Sequence, residues 1–499
     1  MDLTAFALSW SPVLLLTLLA VGWRRPALEL SLAGVTFTGG LVYLGFQTPA
    51  GVVLLAALDG LLTTFPLLLV VLAGILLSNL LLATGAIERL VTWFVSGLRH
   101  PGHRHSFISL GTCNFLEGAS IIAEPLVAPM LRAAGVSPPG AAALSIIGYS
   151  GLMSVEMAGI IITVLALVTG LPSHELASAS AWLSVPATLA MAACIPRFLP
   201  AAEGDWRGLA LMLTSGLLVS LVALVTTLTL GVVLAGMAGG LALMAVLMLL
   251  GARRWQWNRE IRRDLLPFAI ILVPLLMVNT VPWLRELTSQ TLVLHLKVIP
   301  QHQVTLTPFF SAYPYLFLAF GVAAAMFGPE VQLRQVVAVS LRQGWRALTA
   351  MGLLGAMGQI IAYSGYAEGF GHLTPARNIP WVLATGLKVY TGSWYPLFVP
   401  LLGWVGTFLT GYGVASLMLF GELQVQAGKL LQVSAVWLAA GLTVGSSLGS
   451  VSSPFKIALA TPMCGALGQE GAILRRTIPL GVAASVLIGV ILWAAVKLM

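Results

Sequence analysis

Three glutamates, Glu117, Glu124 and Glu156, stand in a stretch, residues 114–159, whose other members are mostly apolar or small. A carboxylate inside a bilayer costs about 2.5–3.5 kcal/mol on insertion scales, so such residues face a cavity or a partner and carry function. The fold must therefore enclose polar groups at membrane depth. A weaker copy of the stretch follows later in the chain. Phe115, Leu116, Gly118, Leu126, Ala134, Gly135, Ala142 and Gly148 recur in one ungapped register as Phe408, Leu409, Gly411, Leu419, Ala427, Gly428, Ala435 and Gly441. The chain reads as duplicated around a site.

The composition makes membrane depth the natural reference. Of 499 residues, 58% are hydrophobic and only 8% charged, with mean hydropathy +0.97. A soluble domain could not cover its surface with so few charges. Many apolar runs reach the roughly 20 residues that cross a bilayer as a helix. The net charge of +8 sits in short loops between spans, where it orients the chain rather than binding nucleic acid. Cys113, Cys194 and Cys464 have no metal-ligand spacing and are too few for a disulfide framework. Arg24 and Arg25 follow the first apolar run instead of preceding it, which predicts an uncleaved first helix and not a signal peptide.

Hydropathy predicts spans at about 3–22, 27–46 and 61–84, with Asp59 capping or interfacial just before the third. The loop from Glu88 to His105 is rich in Arg and His, hence cytoplasmic. Two apolar pieces follow, about 106–117 and 120–133, each too short to cross and predicted to form a re-entrant hairpin with its turn at Glu117 to Ser120. A broken helix at about 139–170, interrupted at Gly148-Tyr149-Ser150-Gly151, and a span at about 177–199 complete a first repeat over residues 1–200. Residues 201–264 hold a linking helical pair, about 208–228 and 231–251, and a basic cytoplasmic segment with Arg253, Arg254, Arg259, Arg262 and Arg263 beside Trp255 and Trp257. The second repeat, 265–499, has spans at about 267–284, 308–328 and 347–366, a hairpin at about 397–428, a broken helix at about 433–461 and a last span at about 477–496.

The basic residues assign opposite orientations to the two repeats. The loop after the third span is basic in the first repeat, whereas its counterpart, Ala367 to Pro396, holds only Arg377 and Lys388. The turn after the broken helix shows the reverse: Leu171 to Glu175 has no Arg or Lys, and the matching turn has Arg475 and Arg476. The predicted fold class is thus an all-α polytopic membrane protein of two inverted-topology repeats, each with a re-entrant hairpin and a broken transmembrane helix. This pattern belongs to secondary transporters, whose sites lie between the repeats near the midplane.

At Phe115 to Ala119, Gly403 to Gly411 and Gly445 to Pro454 the chain resembles the L-lactate permease family, which carries an FLEGA-type segment, a GW-x-G-x-FLTG segment and a Gly-rich SP segment in this order. The resemblance implies an ion-transporter type of fold and proton-linked symport of short 2-hydroxymonocarboxylates such as lactate or glycolate. It further implies an inner (cytoplasmic) membrane location, an elevator-like motion and a homodimer. Several positions depart from the family pattern. Ser120 to Pro125 brings in the carboxylate of Glu124, Tyr412 to Ala415 replaces a polar cluster, and the basic residue expected before the SP pair is Ser450, with Lys456 appearing after it.

The candidate site follows from these segments. Glu117, Glu124 and Glu156 are candidates for proton or ion coupling, Glu117 first because it ends a half-helix at the predicted midplane. Lys456, the only Lys or Arg of the second broken segment, either meets a substrate carboxylate or pairs with a glutamate. Gly118, Ser120, Tyr149, Ser150, Thr410, Gly411, Tyr412, Gly413, Ser416, Ser446, Ser447, Ser450, Ser452 and Ser453 supply hydroxyls, close backbone or half-helix ends, which suffice for a monocarboxylate. Small residues also simply pack membrane helices. No cofactor or metal is expected, since His100, His103 and His105 lie in the Arg-rich loop. Gly445-Ser446-Ser447-Leu448-Gly449 matches a hydrolase pattern but lacks the preceding strand, and no P-loop is present. The rival functions are a transporter of another small anion coupled to protons or Na+, a cation/proton antiporter on the same fold, and a membrane-embedded enzyme or structural subunit.

Overall fold

The computed structural model describes residues 3–19, 23, 25–98, 100–200, 205–251, 257–328 and 331–498. Arg24, Arg99, Arg253, Arg254 and Trp255 lie outside these residues. The described chain is predominantly helical, and seven of its helices are long and apolar enough to cross a membrane.

The first part runs α1 (Leu3–Thr17), α2 (Ala27–Leu44), α3 (Ala50–Ala83), α4 (Ala86–Ser96) and α5 (Pro101–Ser106). A π-helical turn, Phe107–Thr112, leads into α6 (Cys113–Gly118), and then come α7 (Glu124–Ala133), α8 (Pro138–Ser150), α9 (Ile160–Thr169) and α10 (Ser173–Cys194). Two apolar helices follow, α11 (Trp206–Thr229) and α12 (Ala235–Leu250). The remainder comprises α13 (Arg259–Thr280), α14 (Pro282–Glu286), β1 (Leu294–Ile299), β2 (His302–Leu306), α15 (Tyr313–Phe327), α16 (Leu333–Ala362), α17 (Ile379–Thr391), α18 (Tyr395–Thr410), α19 (Gly413–Leu431), α20 (Ala435–Gly449), α21 (Pro454–Cys464) and α22 (Glu470–Leu498). The order of a long helix, a short helix, two helices joined by a tight break, an interrupted helix and a long helix occurs from α3 to α10 and again from α16 to α22.

Local chemistry explains the ends. Pro49 and Pro138 start α3 and α8, where a missing N–H costs nothing. Asn258, Asn378 and Ser434 cap α13, α17 and α20 through their side chains. Gly170, Gly411 and Gly465 end α9, α18 and α21 in the left-handed conformation.

Helices α3 and α16 pack along each other, with α2 on α16; α18, α19, α20 and α22 form a second packed group joined to α10. At the first contact a Cβ on Gly60 would lie 2.3 Å from the Gly355 carbonyl oxygen, so only glycine permits this approach. The linking pair joins the first group of interrupted helices, since α12 lies against α6 and the π-helical turn. Arg89 on α4 makes a two-pronged contact with Asp264 on α13, at 2.8 and 2.7 Å, and so ties the middle of the first part to the first helix of the remainder.

One addition and two corrections to the sequence expectations stand out. The all-α frame carries a small hairpin, in which β1 and β2 pair antiparallel, Leu294 opposite Leu306, and pack on α3 and α9. The alternation in Leu294-His295-Leu296-Lys297-Val298 was the available signal, obscured by the apolar runs on either side. Asp59 is not a cap: α3 starts at Ala50, placing Asp59 inside the helix and fully buried in the protein. Hydropathy placed the start of the span later because it does not register the proline that begins the helix. Finally, α8 continues through Gly148, Tyr149 and Ser150, and the interruption lies over 151–159, because a glycine within a helix does not by itself break it.

Candidate functional site

The chain between α6 and α7 turns within five residues. Ser120 takes φ +61°, and the Glu117 carboxylate accepts the Ala123 N–H at 2.9 Å across the turn. Both Glu117 and Ser120 are buried, and the Ser120 hydroxyl has no hydrogen-bond partner among the described residues. Gly118 lies against α12, where a Cβ would fall 2.3 Å from the Met237 nitrogen. Asn114, one turn earlier, donates to the Leu110 and Gly148 carbonyls and leaves its own oxygen unpartnered. It was missed, although a lone amide in an apolar run is a usable signal.

Glu124, Tyr149 and Lys456 converge from three elements. The Tyr149 hydroxyl donates to Glu124 Oε1 at 2.5 Å; Lys456 Nζ donates to that hydroxyl at 2.6 Å and lies 3.2 Å from the same carboxylate oxygen. The ammonium also stands 4.7 Å from the Tyr149 ring centroid. Glu124 opens α7, Tyr149 sits in the last turn of α8, and Lys456 follows the cap of α21, where Ser453 Oγ accepts its N–H at 3.4 Å. Exposures of 1%, 0% and 8% leave this group almost without solvent. Its second carboxylate oxygen, Glu124 Oε2, has no partner among the described residues.

Glu156 lies in the interruption between α8 and α9. Met157, Ala158 and Gly159 after it have φ of +51°, +48° and +75°, costly for the two non-glycine residues and characteristic of functional segments. The side chain is fully buried against Gly236 of α12, and neither carboxylate oxygen has a partner among the described residues. An unpaired buried carboxylate is expensive, so this group needs a proton or a cation.

From the second part, Thr407 and Ser446 share a hydrogen bond at 3.0 Å, and Ser446 reaches the Gly413 carbonyl at 2.9 Å. Ser450 contacts the sulfur of Met153 at 3.2 Å, joining the two interrupted helices. Ser416 donates to the Gly403 carbonyl, and Ser452 accepts from Trp404 Nε1. Ser150 and Ser447 bond within their own helices, and Thr410 bonds the carbonyls of Gly406 and Tyr412; among the described residues none of the three hydrogen-bonds a residue of the opposite part. The Tyr412 ring lies 4.9 Å from that of Phe455, tilted by 51°, and its buried hydroxyl has no hydrogen-bond partner among the described residues. A cleft of about 990 Å³ is lined by Arg25, Arg346, Thr410, Gly411, Phe455 and Glu470 among others; Lys456 follows Phe455 in the chain. Among the described residues no three His, Cys, Asp or Glu side chains gather as a metal site.

A family model described as L-lactate permease matches residues 5–499. The L-lactate permease of Salmonella typhi is 35% identical over 127 residues, 26% of this chain and 23% of that protein. The glycolate permease GlcA of Escherichia coli K12 is 39% identical over 101 residues, 20% of this chain and 18% of that protein. These alignments span about a quarter or less of the curated relatives, whereas the L-lactate permease of Streptococcus iniae is 23% identical over 410 residues, 78% of this chain and 83% of that one. Among solved structures, Neisseria gonorrhoeae MtrF superposes with TM-score 0.40 at 14% identity, over 86% of this chain and 80% of its own. With the family pattern running over residues 5–499, this multi-pass membrane protein belongs to the L-lactate permease family.

Proposed function

We propose that the chain is a secondary active transporter, not an enzyme, that moves a short 2-hydroxymonocarboxylate such as lactate or glycolate with a proton across the bacterial cytoplasmic membrane. The observation that carries this reading is a buried ammonium, Lys456, delivered by one interrupted helix into a group of carboxyls delivered by the other part of the chain. Lys456 in the first turn of α21 supplies charge, and the end of that helix adds its own preference for an anion. Glu117, Glu124 and Glu156 supply more carboxyls than one ammonium can neutralise, which leaves places for protons. The Arg25 and Arg346 cleft gives an anion a charged approach toward Phe455.

In this reading the breaks at 119–123 and 411–412 are tips of re-entrant hairpins from opposite faces, and residues 1–200 and 265–499 are inverted repeats joined by 201–264. Support comes from the recurring element order and from the opposite distribution of Arg and Lys at matching loops. Labelled lactate or glycolate uptake into proteoliposomes, driven by an imposed pH gradient, tests the function. Accumulation that needs the gradient is expected. Uptake of neither acid by active, folded protein would end the proposal.

A cation/proton antiporter is the second reading, favoured by Glu156 with its two unpartnered oxygens. Sodium flux in the same vesicles, abolished by Glu156→Gln while lactate has no effect, would establish it instead.

A further inference from the structure

The pocket around Lys456 already holds a carboxylate, that of Glu124. Glu124 Oε1 takes both available donors, the Tyr149 hydroxyl and the Lys456 ammonium. Glu124 and Lys456 each lie in the first turn of a helix, of 10 and 11 residues respectively, and helix starts favour negative charge. An ammonium on its own is poorly placed at such an end, so the pocket is built to keep an anion against it. Exposures of 1% for Glu124 and 0% for Tyr149 leave no solvent to screen a second anion beside the first.

Resting on the transport reading, we propose that Glu124 is an internal stand-in for the substrate carboxylate, held by Lys456 until a proton neutralises it and a 2-hydroxymonocarboxylate takes its place. The step balances. A proton from the aqueous phase bonds to the Glu124 carboxylate, which leaves the ammonium; the substrate carboxylate then accepts from Lys456 Nζ and the Tyr149 hydroxyl. The pocket holds one ammonium and one carboxylate before and after, so buried charge is unchanged and one proton accompanies each anion. Without the proton, two carboxylates would share one ammonium in a low-dielectric site, a costly excess. A dicarboxylate would bring the same excess with it and is rejected.

The groups around Glu124 are consistent with this role. Tyr149 faces it from α8 and Lys456 from α21, α6 contributes Cys113 and Glu117, and Tyr412 lies within electrostatic reach from the other break. Helix α4, which also touches α7, carries Glu88 and Arg89, the latter bound to Asp264. On α7 itself Arg132, in the last turn, bonds the Val136 carbonyl. Lys456 alone forms an ion pair with Glu124 among the described residues.

The full chain in nanodiscs, titrated with L-lactate or glycolate from about pH 5 to about pH 8, reads the exchange as ligand-induced thermal stabilisation. For the wild type, apparent affinity should fall about tenfold per pH unit at the alkaline end. Glu124→Gln should bind with no such slope, lose accumulation driven by a pH gradient in proteoliposomes, and keep lactate-for-lactate exchange. Tyr149→Phe, which removes a donor from the carboxylate, should keep the slope but shift its midpoint to higher pH. A Glu124→Gln variant with wild-type slope and accumulation overturns the exchange. If that variant does not fold, an unmoved Tyr149→Phe midpoint overturns it equally. A wild type that neither binds nor transports either acid defeats the transport reading and the exchange with it, whereas a wild type that binds beside indifferent variants defeats the exchange alone.

Discussion

Asp59 and His302 lie 243 positions apart in the chain and meet at 2.7 Å between Oδ2 and Nδ1. The other ring nitrogen of His302 reaches the Leu167 carbonyl at 2.7 Å, which can only accept. Both ring nitrogens therefore donate, and the β-hairpin fastens α3 to the end of α9 with an imidazolium. Burial opposes that charge, but the hydrogen bond and charge of Asp59 outweigh it and raise the ring above its ordinary value of 6.5. A raised value means that the stabilisation is complete below about pH 6.5 and is lost as pH rises through the folded-state value. The melting temperature of the wild type should fall over that alkaline interval, and that of His302→Gln should fall less. Parallel melting curves for the two proteins across pH would contradict the pairing.

Asp264 is fully buried, while the side chain of Arg89 is 35% exposed. Removing the acid strands a guanidinium that can still reach water, so Asp264→Ala should cost near the lower end of the roughly 3–5 kcal/mol range for broken buried pairs. A denaturation series in detergent measures the loss. Restoring both positions with apolar residues should recover much of it.

Gly118 is predicted to tolerate no side chain. Its neighbours on α12 are backbone, at 2.3 Å from the Met237 nitrogen, and backbone cannot swing aside. Gly118→Val should destabilise by at least about 1–3 kcal/mol, the usual range for overpacking. The thermal midpoint reports it, and an unchanged midpoint would mean that α6 and α12 do not touch as described.

Replacing Lys456 with Met removes the ammonium while keeping most of the side-chain volume. Loss of one partner of a buried charge pair costs about 2–5 kcal/mol in binding, at least about 30-fold in apparent affinity. Lactate titration of the purified variant reads this directly. Because the change also leaves Glu124 without its counter-ion, Lys456→Met combined with Glu124→Gln should be more stable than Lys456→Met alone.

Much of the helical plan was legible because membrane helices must satisfy their backbones internally. Apolar runs of sufficient length had to be helices, and runs of half that length around Glu117 or Gly411 had to stop. The short segments about 106–117, 120–133, 397–410 and 413–428 correspond to helices that end at Gly118, Ala133, Thr410 and Leu431. Pairing was illegible. Nothing local in Asp59 names His302 as its partner, and Gly118 reads the same whether it meets a ligand or α12. Hydroxyls such as Ser150 and Ser447 could not be sorted either, because a serine that bonds its own helix and one that faces a pocket have the same neighbours in sequence.

Sequence alone determined that this chain is a membrane protein, and it singled out three acids and one lysine in apolar surroundings together with breaks in the runs that carry them, since polar groups are costly to remove from water. Only the tertiary structure decided which acid receives the lysine. That choice depends on how close α7, α8 and α21 approach, and ion pairing falls off over a few ångströms, a scale that no spacing along the chain can specify.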